Sequence, residues 1–543
     1  MAIVNPILRG FNPDPSIVRV GDDYYIATST FEWFPGVQIH HSRDLKNWRL
    51  IGRPLNRPSQ LDMRGDPDSC GVWAPCLTHA DGRFWLIYTD VKRYGRTTVA
   101  GASGASLRDM HNYLVTAESI DGPWSDPVFL NSRGFDPSLF HDDDGRKYLL
   151  NLVWDFRPGH NRFSGIEIQE YDAAAGCLVG ERTTIFKGTP LGLTEGPHLL
   201  KRGDFYYLIT AEGGTGWNHA VTIARSTSLL GPYELHPDVY MLSSRDRPDA
   251  ALQRAGHGNF VETQGGESYF VHLCGRPLRN RGRSVLGRET AIQKVVWGED
   301  GWPRLDGEAG LALAEVPEPK LSAHPFPAEP TRHDFDGPEL PLAFQWLRTP
   351  CPDDIFSLTA RPGHLRLIGR ESIGSPFTQA LVARRQQAFC YSARSVVDFQ
   401  PRHFQQMAGL VCYYNSGKFH YLYISHDEEI GRHLRVMSAL PDSTQSDAFT
   451  DAIALPDGPV HLRVEVDEER LLFAYSLDGE SWTFIDRVFD ASILSDEASA
   501  PGMPNFTGAF VGMACQDMSG DRLAADFDFF DYRERDYLVD PRR

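Results

Sequence analysis

Three acidic side chains stand at matching places in a repeated pattern. Asp14 opens Asp14-Pro15-Ser16-Ile17-Val18, Asp136 opens Asp136-Pro137-Ser138-Leu139-Phe140, and Glu195 directly precedes Gly196-Pro197-His198-Leu199-Leu200. Two further copies read Ala74-Pro75-Cys76-Leu77 and Gly256-His257-Gly258-Asn259-Phe260. Pro15, Pro75, Pro137, Pro197 and His257 share one slot, at successive spacings of 60, 62, 60 and 60 residues. A slot that served only packing would keep one residue type, and this one carries acids in some copies and not in others. Like charges gathered in a partly dry pocket raise at least one carboxyl pKa and cost stability, which points to chemistry. Two carboxyl groups and a water can hydrolyse a glycosidic bond. One protonates the leaving oxygen, and the other attacks or deprotonates water. A third carboxylate can hold up the pKa of the acid.

The elements that must position these groups are read from the same copies. Each pairs a short strand with a Gly/Asp turn and an apolar–aromatic strand, as in Tyr24-Tyr25-Ile26 or Phe84-Trp85-Leu86-Ile87-Tyr88, which is a β-hairpin signature. Further strands such as Val37-Gln38-Ile39-His40 follow. Five units of about sixty residues predict a five-bladed β-propeller, in which radial repetition protects the sheet edges. The rival, a sandwich with accidental similarity, leaves five recurrences in register unexplained. In a propeller the inner strands converge on the axis, so the heads of those strands face one cavity.

Residues 1–315 are assigned to the propeller. From Pro317 to Pro352 there are nine prolines in 36 residues, and residues 316–330 are read as a Pro-rich linker. Beyond it, Leu462, Val464 and Val466 alternate with Arg463, Glu465 and Asp467, and Asp478-Gly479 marks a hairpin turn. Residues 331–543 are therefore expected to form an antiparallel β-sandwich of jelly-roll type. The whole chain is thus expected to be all-β. No aromatic platform for a polymer stands out in this second domain, so its expected role is structural and pocket-closing.

The 543 residues carry 54 basic against 72 acidic side chains, a formal charge of −18. That balance argues against a nucleic-acid or anionic-membrane partner and fits a neutral ligand such as a sugar. The N-terminal residues show no secretory signal pattern and no stretch has transmembrane length, so a cytoplasmic location is expected. Eight scattered cysteines form no Cys-x-x-Cys and read as buried reduced thiols. With neither a DxDxDG loop nor an HExxH motif, no catalytic metal is expected.

Four stretches carry a resemblance: Asn5-Pro6-Ile7-Leu8-Arg9-Gly10-Phe11-Asn12-Pro13-Asp14-Pro15-Ser16, Phe31-Glu32-Trp33-Phe34-Pro35-Gly36-Val37, Gly134-Phe135-Asp136-Pro137-Ser138 and Thr194-Glu195-Gly196-Pro197-His198. They are similar to the family 43 glycoside hydrolases, and within these to the two-domain β-xylosidases. The likeness extends to Phe506-Thr507-Gly508-Ala509-Phe510-Val511-Gly512-Met513. It implies an exo-acting, inverting hydrolase that releases D-xylose from the non-reducing ends of β-1,4-xylooligosaccharides, with α-L-arabinofuranosidase side activity. Carried over residue by residue, Asp14 is the general base, Glu195 the general acid, and Asp136 tunes the acid and positions substrate. Inversion needs base and acid roughly 6.5–9.5 Å apart.

The resemblance also places Arg288 in the pocket, against the alternative of a surface Arg paired with Glu289. Phe31 and Trp73, expected in loops beside the first two inner strands, either stack on sugar or simply pack the propeller. Phe506 either closes the pocket from the second domain or belongs to the sandwich core. His257 lies on the axis. In similar enzymes a His near this place touches a divalent cation, often calcium, but a neutral buried imidazole is the simpler reading, because calcium prefers oxygen ligands. A homo-oligomer, dimer or tetramer, is implied by the resemblance alone. Two rivals stand: a primary α-L-arabinofuranosidase, and a non-catalytic sugar-binding propeller.

Overall fold

A computed structural model describes residues 2–94, 107–279, 282–307, 310–440, 448–499 and 505–535, so residues 536–543 of the second expected domain lie outside it. Among the described residues there are strands and short 3₁₀ turns but no α-helix. Five antiparallel sheets follow one another along the chain, each meandering outward from an inner strand. The inner strands are Ser16–Val20, Gly71–Ala80, Ser138–His141, Glu195–Arg202 and Gln253–Glu262. The turn that leads from each inner strand to its neighbour contains a glycine with positive φ: Gly21, Gly82, Gly145, Gly203 and Gly266. This is the backbone sign that tight hairpins require, and it is why the Gly/Asp turns recur in the sequence. The sheets form the five blades of a propeller, and Ala2–Val4 pairs with Glu315–Pro317 where the chain returns to its start.

The Pro-rich segment that follows lies against the propeller. Lys320 N donates to Glu267 Oε2 at 2.7 Å, His324 N donates to Asp44 Oδ2 at 2.7 Å, and the Arg49 guanidinium stands 4.6 Å from the centre of the Phe326 ring. Prolines lack the N–H that would continue a sheet. The segment is instead strapped to blades five and one by side chains.

From Arg332 to Glu534 two large antiparallel sheets pack face to face as a β-sandwich. Strand Val460–Asp467 shows the alternation expected of one dry face, with Val460, Leu462, Val464 and Val466 buried. One strand of the sandwich comes from the propeller. Trp33–Phe34, in the long connection of blade one, extends the edge of a sandwich sheet by pairing with Phe344–Leu347. Trp33 is fully buried, and its ring stacks on Phe510 at 3.7 Å. Arg348 holds the same junction. Its N–H donates to Glu32 O, and its guanidinium donates to Asp66 O at 2.7 Å, Asp68 Oδ1 at 2.8 Å and Gln379 Oε1 at 3.0 Å.

The shared strand predicts that the propeller does not stand alone. A chain ending at residue 330 leaves Trp33 and Phe34 in water and Asp68 without its cation. We expect it to be insoluble, or to lack the near-ultraviolet circular dichroism and the activity of the whole chain. A soluble, active truncation would contradict this account.

Candidate active site

The carboxylates reach the hub through a backbone device. Asp14, Ala74, Asp136 and Gly196, each just before the slot proline, have φ of 55°, 32°, 54° and 57°. Left-handed backbone is costly for most side chains but tolerated by Asp. It sits at a break in the ladder: the register shifts between Trp73 and Cys76, and between Glu195 and His198. Such bulges re-aim side chains. In blade five the left-handed residue is His257 itself, with φ 43°. The sequence alignment of His257 with the prolines is therefore one residue out of phase in backbone terms: His257 corresponds to Asp14 and Asp136, and it faces the same pocket.

That pocket is lined by Asp14, Asp136, Glu195, His257, Arg288, Phe31, Trp73 and Phe506, which unites all eight residues singled out from the sequence. It is a small pocket, open on one side. Asp14, Asp136 and Glu195 are 5%, 6% and 8% exposed. Asp14 accepts a hydrogen bond from Ser29 Oγ at 2.7 Å on one oxygen and from Arg288 Nη1 at 2.7 Å on the other. Asp136 Oδ2 accepts from the Gly196 N–H at 3.0 Å. The Glu195 carboxyl accepts no hydrogen bond from any described residue and so remains available to a ligand.

Burial, reinforced by Asp14, holds the Asp136 carboxyl well above the ordinary carboxylate range. Burial is again the largest cause for Glu195, followed by repulsion from Asp136 and Asp14, while Arg288 and Arg108 act in the opposite direction. Its pKa is also driven well above the usual value. Burial lowers the His257 pKa, against the pull of Asp14. Its Nδ1 lies 3.9 Å from Asp14 Oδ1 and 4.0 Å from Asp136 Oδ2. Around the ring stand His198, with ring centres 6.5 Å apart, and then Cys76 and Asn259 beyond His198. Calcium takes six to eight oxygens, and the carboxylate oxygens nearest this ring are those of Asp14 and Asp136. No group of three or more His, Cys, Asp or Glu side chains among the described residues is arranged to hold a metal.

Arg288 also donates to the backbone carbonyl of Phe506 at 2.9 Å, and the Phe506 N–H donates to Ser69 Oγ at 3.1 Å. The second domain thus supplies a wall of the pocket, held to the same cation that pairs with Asp14. Two glycines permit this contact: a Cβ on Gly287 would meet Thr507 O at 2.5 Å, and one on Gly508 would meet Leu286 O at 3.0 Å. The aromatic walls interlock, with the Trp73 ring 5.5 Å from both Phe31 and Phe506. One expectation is corrected. Trp73 lies within strand Gly71–Ala80, not in a loop, and it reaches the pocket because the ladder bulges just after it.

Sequence reasoning passed over several residues. Tyr94, Phe135, Thr215, His219 and Leu273 also line the pocket. Phe135 could have been found, since it adjoins Asp136, whereas nothing marked Tyr94. The Arg108 guanidinium lies between the rings of Tyr94 and Trp154, 3.3 Å and 3.6 Å from their centres. Glu212 anchors the loop that carries the acid: it accepts hydrogen bonds from Thr194 Oγ1 and the Thr189 N–H, each at 2.9 Å. Ser29 bridges two blades, accepting from the Ala74 N–H at 2.7 Å while it donates to Asp14.

A small pocket with three clustered carboxyls, those of Asp136 and Glu195 raised in pKa, and aromatic walls defines the class as glycosidase-like. The comparisons narrow it. The model for glycosyl hydrolases family 43 matches residues 3–303, and that for the β-xylosidase C-terminal concanavalin A-like domain matches residues 332–533. The chain belongs to glycosyl hydrolase family 43. It is 53% identical over 535 residues to a xylosidase/arabinosidase 43B of Humicola insolens, with 97% of each chain covered. It is 50% identical to a β-xylosidase of Bacillus subtilis strain 168, covering 98% of this chain and 100% of that one. The crystal structure of a xylan β-1,4-xylosidase from Bacillus halodurans C-125 superimposes with a TM-score of 0.93 at 51% identity, covering 98% of this chain and 100% of that one.

The Ser29 contact generates a prediction. Ser29→Ala frees one Asp14 oxygen and leaves the buried Ala74 N–H unpaired. A hydrogen bond to a charged group contributes about 1.5–3 kcal/mol, so kcat/KM should fall roughly 10- to 100-fold, with a lowered melting temperature but a cooperative transition. Wild-type turnover in this variant would show that Ser29 does not position Asp14.

Proposed function

We propose that the protein is an exo-acting, inverting β-xylosidase that releases D-xylose from the non-reducing ends of short β-1,4-xylooligosaccharides. The observation that carries this is the convergence of Asp14, Asp136, Glu195 and Arg288 on one small pocket closed by Phe506. A pocket closed by Phe506 suits a terminal sugar, whereas a polymer-cleaving enzyme needs a through-groove. The names of the relatives at about half identity support the substrate class. Short imported oligomers agree with a cytoplasmic location, and the resemblance to oligomeric relatives adds a homo-oligomeric state to the proposal.

In this mechanism Asp14, held from two sides by Ser29 and Arg288, takes a proton from the water that attacks the anomeric carbon. Glu195 delivers its proton to the departing glycosidic oxygen. Asp136 acts through Glu195 by keeping that proton in place above the usual carboxylate range. Water attacks opposite the leaving group, so the released sugar has the inverted anomeric configuration. Phe31, Trp73 and Phe506 offer apolar faces to the sugar and exclude bulk water. The chemistry uses no step through a metal ion.

Glu195→Gln and Asp14→Asn should each lower kcat by about 10²- to 10⁴-fold on β-xylobiose. Near-native rates in both would leave only a sugar-binding propeller. Asp136→Asn has a distinct signature. Glu195 loses the neighbour that disfavours its anion, its pKa falls, and the acid form survives to a lower pH. The alkaline limb of the kcat/KM profile should therefore move to lower pH along with a large loss in rate. A limb that stays in place would refute the tuning role.

A second reading, primary α-L-arabinofuranosidase activity, has in its favour the dual name of the Humicola relative and a Bacteroides ovatus relative, 35% identical over 537 residues, that is named a non-reducing-end α-L-arabinofuranosidase. Parallel assays on p-nitrophenyl β-D-xylopyranoside and α-L-arabinofuranoside decide between them. We expect the xyloside to be preferred. Proton NMR of the first-formed xylose should show the α-anomer, and initial release of the β-anomer would exclude inversion.

A further inference from the structure

A second cavity lies at the seam between blade one and the sandwich and shares no lining residue with the hub pocket. Its wall carries Arg9, Arg49, Arg53, Arg384, Arg385 and His40, and Glu329 is its one acidic lining residue. In a chain of formal charge −18, this is a concentrated cationic site. Arg9 is paired with Glu534 at 2.8 Å. Three others are buried: Arg53, Arg384 and Arg385 are 8%, 7% and 6% exposed, and none forms an ion pair with a described residue.

Their partners are neutral. Arg53 donates to Gln38 Oε1 and Leu342 O, both at 2.8 Å, and to Phe344 O at 3.3 Å. Arg385 donates to Phe11 O at 2.6 Å and to the Gln345 side-chain oxygen. Arg384 donates to Gln387 Oε1 at 2.9 Å and lies over the Tyr532 ring at 4.1 Å. Arg53 Nε, Arg384 Nε, Arg385 Nη2 and His40 Nδ1 are buried and have no partner among the described residues. Burial, with repulsion from Arg385 and Arg53, holds the His40 pKa near 3, so at neutral pH its ring adds a hydrogen-bonding group and no charge.

A guanidinium does not give up its proton in a protein, so burial cannot be relieved by neutralisation. Like charges brought together in low dielectric without an anion are strongly unfavourable. Unmade donors in buried groups add to that cost. Planar guanidinium forks match tetrahedral oxyanions in geometry as well as charge. We propose that this seam cavity binds a phosphate-class oxyanion, either free phosphate or the phosphoryl end of a small ester, through Arg49 at its rim and Arg53, Arg384, Arg385 and His40 within. The site is tied to the catalytic loop. Gln38, which accepts from Arg53, donates to Asn12 Oδ1 at 2.6 Å, and Arg385 donates to the carbonyl of Phe11.

The test uses the full chain and does not depend on its glycosidase activity. Calorimetric titration with inorganic phosphate, at ionic strength fixed with sodium chloride and with xylose at saturation to occupy the hub, should give one site per chain. The melting temperature should rise with phosphate and saturate. Arg49→Gln, an exposed change in the cavity wall, should weaken binding at least threefold. Arg385→Met should abolish it. If Arg385→Met fails to fold, Arg49→Gln decides. A parallel titration with glycerol 3-phosphate assigns the source: binding of both probes identifies an ester-accepting site, and binding of inorganic phosphate alone a free-ion site. A phosphate effect no larger than that of chloride, competition by xylose, or affinity unchanged in Arg49→Gln would overturn the proposal.

Discussion

Carboxyl groups do not share a dry space unless the backbone compels them to, and here the compulsion is the left-handed turn at the head of each inner strand. Asp14 and Asp136 stand at φ near 55°, a conformation that Asp tolerates and most residues resist. The turn stands just before strands Ser16–Val20 and Ser138–His141, and in blades two, four and five it interrupts the ladder itself. Blades that need no carboxylate use Ala74 or His257 in the same conformation. Blade four places Gly196 there, so that its N–H donates to Asp136 while Glu195 projects from the residue before. Chemistry and strain thus occupy the same positions, as is usual where function overrides local preference.

The gathered charge is tolerable because cations meet it, and Arg288, the one that pairs with a carboxylate of the cluster, is held by both domains. Arg288 pairs with Asp14 through one nitrogen and holds the Phe506 carbonyl through another. The sandwich is therefore part of the site as well as its lid. The same principle operates a few residues away: Phe31 lines the pocket, while Trp33 and Phe34 form a strand of a sandwich sheet. Between them Glu32 is fully buried near Arg348 and Asp68, and its carboxyl is pushed up to about 7, chiefly by burial. A segment of four residues thus serves pocket, junction and sandwich core, which explains why its sequence carries so much of the family likeness.

Repeat spacing made the propeller legible, because five copies in register are hard to produce any other way. It also made the three carboxylates legible, since they depart from the type expected of a packing slot. What it could not supply was phase. His257 was aligned with the prolines, although its backbone places it with Asp14 and Asp136. Nor could it reveal contacts between distant segments. Ser29 and Glu212 act through hydrogen bonds to residues whose positions depend on the closed ring, and Tyr94 reaches the pocket from the end of a strand with no motif of its own. The fate of Trp33–Phe34 was hidden for a different reason: period and composition describe a strand, but not which sheet recruits it.

The distribution of charge bears on what the enzyme can accept. Three carboxyls and one arginine leave the hub with no surplus of positive charge, and the molecule as a whole is acidic. An approaching sugar that carries a carboxylate would meet repulsion from the surface and a second penalty on desolvation beside Asp136 and Glu195. Neutral pentose ends meet neither. Discrimination against acid-decorated chain ends therefore needs no dedicated residue, because it follows from the cluster that performs the hydrolysis. The cationic seam lies outside this balance. Its arginines are walled off from the hub by Phe11 and Asn12, so a counter-anion there leaves Arg288 free to serve Asp14.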